Sequence, residues 1–326
     1  MPPRNISRPR ILVAALAALT GSLTAAAPAV AYLRDFQTVQ ARSSLNSAPA
    51  KTVISACPGG KVALSTGAVI SGLPTFPFGG ATTDLGLQRM RLSSNLGSGT
   101  QVRAVEADPV RQPWLLGVQN QCASVTNVPP GGAAGSYVKE VTVVKQVSAV
   151  NSTSPKDMSV SCGAGRQSIG GGFANGLGSG RVAVRRAVRI DGGFRVVTQE
   201  TDPTGEGWQM YVIALCANLT RPGGSYVTDL SVRAETTSID SSDHKANVVD
   251  CPDGQRAIGG GAEVVGSSGA APPDVTLVAS DPSSNQGVPT GWHGAAGEED
   301  PTAASWGIRL QAVCARAVPP PVVSPD

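Results

Sequence analysis

The chain has 326 residues, 41% of them hydrophobic but only 4% aromatic, with 39 Gly, 25 Pro and six Cys. Lys and Arg number 26 against 23 Asp and Glu, a formal charge of +3. Three of those Arg lie in the first ten residues, and without them the balance is 23 to 23. A near-neutral body removes the electrostatic case for binding nucleic acid or an anionic membrane, since both need clustered positive charge.

The chain opens with a segment that has the features of an export leader. Arg4, Arg8 and Arg10 form a basic start, Ile11 to Ala26 is mostly apolar, and Ala29-Val30-Ala31 is a small-x-small cleavage site. Residues 1–31 are therefore expected to be removed as a signal peptide, with the mature chain starting at Tyr32. The apolar run is short, Ala-rich and broken by Thr20, Ser22 and Thr24, unlike a spanning helix of about 20 apolar residues. The expected location is extracellular, where disulfides persist.

From Tyr32 onward the sequence repeats itself. Tyr32, Tyr137 and Tyr226 each stand 25 residues before a cysteine (Cys57, Cys162, Cys251), and a lysine precedes each of those by six (Lys51, Lys156, Lys245). Each copy then carries Glu-x-Asp-Pro, with a Trp six residues after the Asp and a Cys eight after the Trp. These are Glu106/Asp108/Trp114/Cys122, Glu200/Asp202/Trp208/Cys216 and Glu298/Asp300/Trp306/Cys314. The turn-rich stretches Pro129-Pro130-Gly131-Gly132 and Arg221-Pro222-Gly223-Gly224 separate the copies. The domain boundaries follow: repeats over 32–128, 137–220 and 226–318, and a Pro-rich tail over 319–326. Six cysteines allow 15 pairings, and the repeat favours the pairing internal to each copy, Cys57–Cys122, Cys162–Cys216 and Cys251–Cys314.

Local pattern gives the elements. Tyr137 to Val143 and Tyr226 to Val232 are β-branched opening strands. Gly170–Gly172 and Gly259–Gly261 invite a bulge or a close backbone approach, with Ser65-Thr66-Gly67 in the first copy. Alternation from Trp to Cys puts both on one apolar face of the closing strand, interrupted only by Asn120. The strand before it opens at Phe194 or Trp292, with Thr100 at that place in the first copy. The two strands together predict a hairpin whose loop holds the Asp-Pro. The fold class is all-β: three tandem antiparallel repeats, each with one internal disulfide. They form either a row of small sandwiches or a shared pseudo-three-fold core like a β-prism, and the short linkers favour the second.

The run Cys-Pro-x-Gly-x4-Gly-Gly-Gly, then Trp, then Cys-Ala, resembles a repeat of uncharacterised secreted actinobacterial proteins. The resemblance covers nearly all of the mature chain and implies fold and compartment but no activity. A looser likeness is to three-fold β-prisms of the vitelline-membrane outer-layer type and of some lectins, from which no site residue carries over.

Candidate chemistry is sparse. His244 and His293 lie in the third repeat without counterparts and are expected to be exposed loop residues, so no nucleophilic triad or His/Cys zinc site is expected. The three repeated Trp are expected in the core. Trp292 stands out as a stacking platform for a sugar, with Phe194 at its place in the second copy as the argument for packing instead. The pairs Glu106/Asp108, Glu200/Asp202 and Glu298/Asp300 place two carboxylates two residues apart, suited to Ca²⁺, to sugar hydroxyls or, at a stretch, to acid/base hydrolysis of a glycoside. The plain alternative is a turn-capping Asp beside a solvated strand Glu. The repeated lysines are expected to pair with these carboxylates. No other cofactor or metal is expected. The leading functional reading is a non-enzymatic secreted binding protein for a glycan or cell-envelope polymer. A coat-like structural protein comes second and a glycoside hydrolase third.

Overall fold

The computed structural model describes residues 32–59, 61–72, 85–92, 99–106, 112–126, 137–176, 182–203, 205–220, 230–285 and 287–316. The leader, both inter-repeat linkers, Asp108, Tyr226 and the Pro-rich tail lie outside the described residues.

The described chain is all-β, with six strands in each third of its length. The first segment contributes β1 (Tyr32–Arg42), β2 (Ala50–Ala56), β3 (Lys61–Ser71), β4 (Leu85–Leu92), β5 (Gly99–Glu106) and β6 (Leu115–Thr126). The second has β7 (Tyr137–Val147), β8 (Lys156–Ser161), β9 (Gln167–Gly176), β10 (Val182–Ile190), β11 (Gly193–Glu200) and β12 (Gln209–Thr220). The third has β13 (Ser231–Thr236), β14 (His244–Asp250), β15 (Gln255–Gly266), β16 (Val275–Asn285), β17 (Val288–Glu298) and β18 (Trp306–Arg316). Disulfides join Cys57 to Cys122, Cys162 to Cys216 and Cys251 to Cys314, as the spacing predicts.

Strand pairing differs from the expected hairpins. The strand before each Asp-Pro and the strand after it are never neighbours: β5 lies between β2 and β4, while β6 lies between β1 and β3. The same separation holds for β11 and β12 and for β17 and β18. Alternation reveals which face of a strand is buried, and both faces here point into the same interior. It carries no information on which strand supplies the hydrogen bonds, so two facing strands looked like one ribbon.

Nor does any segment complete its own sheet. The fourth strand of each is hydrogen-bonded to the third strand of another: β4 to β9, β10 to β15, and β16 to β3. First gives to second, second to third, and third back to first. A row of separate sandwiches is excluded by these pairings. A single-residue contact, Tyr32 opposite Tyr137, links β1 to β7 and joins two of the six-stranded sets into one twelve-stranded sheet.

The glycine triple has three separate jobs in this exchange. In each third strand the residue before the triple, Leu64, Ile169 or Ile258, is bulged out of the register. All three are fully buried in one cluster with Leu215 and Val313. The first glycine gives room where these bulges meet, for a Cβ on Gly259 would collide with the Ile169 carbonyl and one on Gly170 would crowd that of Leu64. The second lies under the large ring of the fifth strand, Phe194 for Gly171 and Trp292 for Gly260. The third admits the strand donated by another segment: a Cβ on Gly67 would overlap the Asp281 backbone, and one on Gly261 that of Ala187. Only this third position is Gly in every copy, because every copy receives a strand.

The first segment departs from the other two at three positions that touch one another. Thr100 replaces the ring, Thr66 replaces the second glycine and Asn120 replaces the alanine of the closing strand. Thr100 and Thr66 share a hydroxyl hydrogen bond of 2.5 Å, Thr66 donates to Asn120 Oδ1 at 2.9 Å, and Asn120 Nδ2 donates to the Ser55 carbonyl at 2.9 Å. All three side chains are buried. A polar triad thus fills the space that a ring over a glycine fills elsewhere, and its groups satisfy one another as buried polar atoms must.

Candidate functional site

Two arrangements bear on function, one repeated in each segment and one found in a single sheet. The repeated one gathers the Trp, Lys and Glu that recur in the sequence. Trp306 opens β18, while Trp114 and Trp208 immediately precede β6 and β12; each is fully buried, its backbone bridged to Asn46, Asn151 or Asp240. The lysine ammonium lies over the indole, 4.7 Å from the ring centre for Lys51 on Trp114, 4.4 Å for Lys156 on Trp208 and 5.1 Å for Lys245 on Trp306. Such a cation–π contact is worth about 2 kcal/mol when desolvated. The ammonium also contacts the Oδ1 of Asn46, Asn151 or Asp240.

The glutamates serve the same cluster. Trp114 Nε1 donates to Glu106 Oε1 at 3.0 Å, and Trp306 Nε1 to Glu298 Oε1 at 2.9 Å. Glu298 also caps the Thr302 amide at 3.0 Å. In the second segment Glu200 is buried like Glu298, while Trp208 Nε1 has no hydrogen-bond partner among the described residues. In the second and third segments the carboxylate pairs foreseen on a shared strand face do not form; Asp108 of the first pair lies outside the described residues. β11 and β17 end at Glu200 and Glu298, so Asp202 and Asp300 lie in the bend beyond, outside the alternation. The solvated strand Glu of the plain alternative does not hold either: Glu200 and Glu298 are buried, and the indole Nε1 of Trp114 and Trp306 holds the carboxylate of Glu106 and Glu298. The residue that sequence reasoning missed is the Asn/Asn/Asp position, five before each lysine. The Asn-to-Asp change hid it.

Trp292 is not a stacking platform. It is 1% exposed, packs over Gly260 and donates Nε1 to Ser280 Oγ at 3.0 Å. Its neighbour His293 therefore points to the opposite face of β17, and this is where the second arrangement lies. Neither histidine is an exposed loop residue, since His244 opens β14 and His293 is internal to β17.

A cleft of about 460 Å³ crosses the outer face of the sheet that β14, β17 and β16 form with β3, β6 and β1. Gln40, Gln119, Asp281 and His293 line it, with Ser71, Ser283 and Ser284 and the apolar Val69 and Val248. At its floor Asp281, 4% exposed, is held from two sides. His293 Nδ1 is 2.8 Å from Oδ1, and Gln119 Nε2 donates to Oδ2 at 2.8 Å. The three come from two segments: Asp281 and His293 of the third face each other across β16 and β17, and Gln119 arrives from the first segment through the β16–β3 seam. Proximity of that kind follows from strand exchange and has no trace in local sequence.

Burial pushes the Asp281 carboxyl above the ordinary range, against the bond and charge of His293. For His293 burial disfavours the cation, but the hydrogen bond and charge of Asp281 outweigh it and raise the imidazole. His244, lowered by burial and by the charge of His293 against that of Asp243, does the reverse. With Nδ1 bound to Asp281, Nε2 of His293 is buried and without a partner among the described residues. Among the described residues no hydroxyl is bonded to it, the contact by which a catalytic triad activates its nucleophile.

Both raised groups bind protons more tightly folded than unfolded, so their stabilisation is complete below the unfolded pKa values and declines as pH rises through the folded ones. Relative to the non-titrating double variant Asp281→Asn/His293→Gln, the native protein is expected to lose stability as pH rises, the Asp281 share from about pH 4 upward and the His293 share from about pH 6.5 upward. Thermal melts of both proteins between pH 5 and 9 measure this, and a constant difference would contradict the coupling.

No protein-family model matches the chain, and no curated protein does. Among the described residues no three His, Cys, Asp or Glu side chains gather where they could hold a metal ion, and no helix is long and apolar enough to cross a membrane.

Proposed function

We propose that this is a secreted, non-enzymatic binding protein, whose ligand is a hydroxyl-rich glycan of the cell envelope or surrounding matrix taken up in the cleft over Asp281. The carrying observation is the buried carboxylate fixed by His293 and Gln119 in a cleft that mixes amides and hydroxyls with apolar side chains. Such groups exchange hydrogen bonds with sugar hydroxyls, and Val69 and Val248 offer apolar surface to a ring face. The leader-like start and three disulfides support export. The closed exchange of strands supports a prism-like, pseudo-three-fold body in which the cleft spans two segments.

Calorimetric titration with soluble envelope oligosaccharides tests the reading, with and without Ca²⁺, alongside pull-down on insoluble wall material. Binding is expected, and Gln119→Leu is expected to weaken it at least tenfold without unfolding the protein. No binding to any of these materials would refute it. A coat-like structural role is the second reading, favoured by the strand edges at β2, β8, β13 and β14, where Ile54 on β2 is 68% exposed. Concentration-dependent assembly in sedimentation would favour that one.

A further inference from the structure

We propose that Lys51 with Asn46, and Lys156 with Asn151, form intramolecular isopeptide bonds, while Lys245 with Asp240 remains an ion pair. The three sites share one construction. The lysine is 5 to 6% exposed and lies over a buried indole that walls off one side from water. Its Nζ touches the Oδ1 of the residue five earlier, one bond from the carbonyl carbon. A glutamate is anchored to the intervening loop, Glu106 N donating to the Pro49 carbonyl at 2.9 Å and Glu200 N to Ser154 Oγ at 2.8 Å. An amine, a carboxamide and a carboxyl group are the three components that such a condensation needs.

The balance is simple. Neutral Nζ attacks Cγ of the asparagine, and the glutamate accepts a proton from Nζ. The same proton passes to Nδ2, the Cγ–Nδ2 bond breaks, and ammonia leaves. One amide replaces another, nothing is oxidised or reduced, and the glutamate is regenerated. Burial lowers Lys51 and Lys156 from the usual lysine range, opposed by the charges of Glu106 and Glu200, which increases the share of neutral amine.

The third site supplies its own control. Asp240 accepts hydrogen bonds from Lys245, both groups of Ser242 and the Ser238 hydroxyl, which together hold its carboxyl far below the usual range. An ionised carboxylate offers no leaving group to an amine, so the pair stays ionic.

Peptide mapping of the reduced, alkylated protein decides the matter. The peptides containing Asn46 with Lys51 and Asn151 with Lys156 are expected to be lighter by one ammonia each. Trypsin is expected to fail after Lys51 and Lys156 and to cut after Lys245. Lys51→Arg should restore the ammonia in the first segment and leave the second cross-linked. Unmodified masses would overturn the proposal. So would loss of ammonia with normal cleavage after Lys51, which marks a succinimide at Asn46-Ser47. Glu106→Gln is expected to leave the first pair unlinked, and a cross-link surviving there would overturn the proton route.

Discussion

Thr100→Phe is expected to destabilise the protein by about 3 kcal/mol, and the triple variant Thr66→Gly/Thr100→Phe/Asn120→Ala to regain most of that loss. In the second and third segments a ring at this place lies directly over a glycine, and a Cβ there would run into the ring. A phenyl ring introduced alone would face the Thr66 side chain in a closed interior, and the exchange would strip Thr66 of its hydroxyl partner. Asn120→Ala alone would also cost, about 2 kcal/mol, because it removes the side-chain donor to the Ser55 carbonyl and one of the two partners of the Thr66 hydroxyl inside the core. The triple variant rebuilds in the first segment the packing that the other two already have. Urea unfolding of the single and triple variants measures the coupling, and simple additivity of the three costs would show that they are not one unit.

Replacing both cysteines of any one bridge by Ala is expected to cost about 4 kcal/mol, nearly equal among the three. The bridges span 65, 54 and 63 residues, and loop entropy varies only with the logarithm of that length. One end of every bridge, Cys122, Cys216 or Cys314, is fully buried on the Trp-bearing strand. A pair of alanines there leaves the core filled but the unfolded chain freer. Denaturant midpoints of the three double variants give the comparison. A spread of more than about 2 kcal/mol would mean that packing around the bridge, rather than loop closure, sets its value.

Much of this architecture was legible because it is written in local spacing. The cysteine pairing, the buried closing strands and the buried Trp follow from repeats and from period-two alternation. What was not legible depends on which strand meets which. The Asp-Pro turns were expected to close hairpins, but the strands on either side pair elsewhere, since a buried face does not name its hydrogen-bonded neighbour. Trp292 has the sequence context of an accessible aromatic, yet it covers Gly260, 32 residues away in sequence. The cleft had the weakest signature of all. His293 is single, Asp281 sits in an Asp-Pro outside the repeated motif, and Gln119 is 162 residues from its partner. The oddities of the first segment were visible one at a time as Thr66, Thr100 and Asn120. Only their contact shows that they compensate.

The seam between β16 and β3 joins Ala279 to Val69, residues more than two hundred positions apart. Chain growth therefore leaves the first segment with an unfilled place beside β3 until the last segment has been made. Contacts of such long range slow folding, and they have the opposite virtue afterwards. To let go of one segment, two seams must part together, because each segment gives a strand to one partner and receives one from the other. Slow assembly is thus exchanged for a long lifetime once the ring has shut. The half-life under protease or heat, a rate rather than an equilibrium, is the quantity in which this design should be visible.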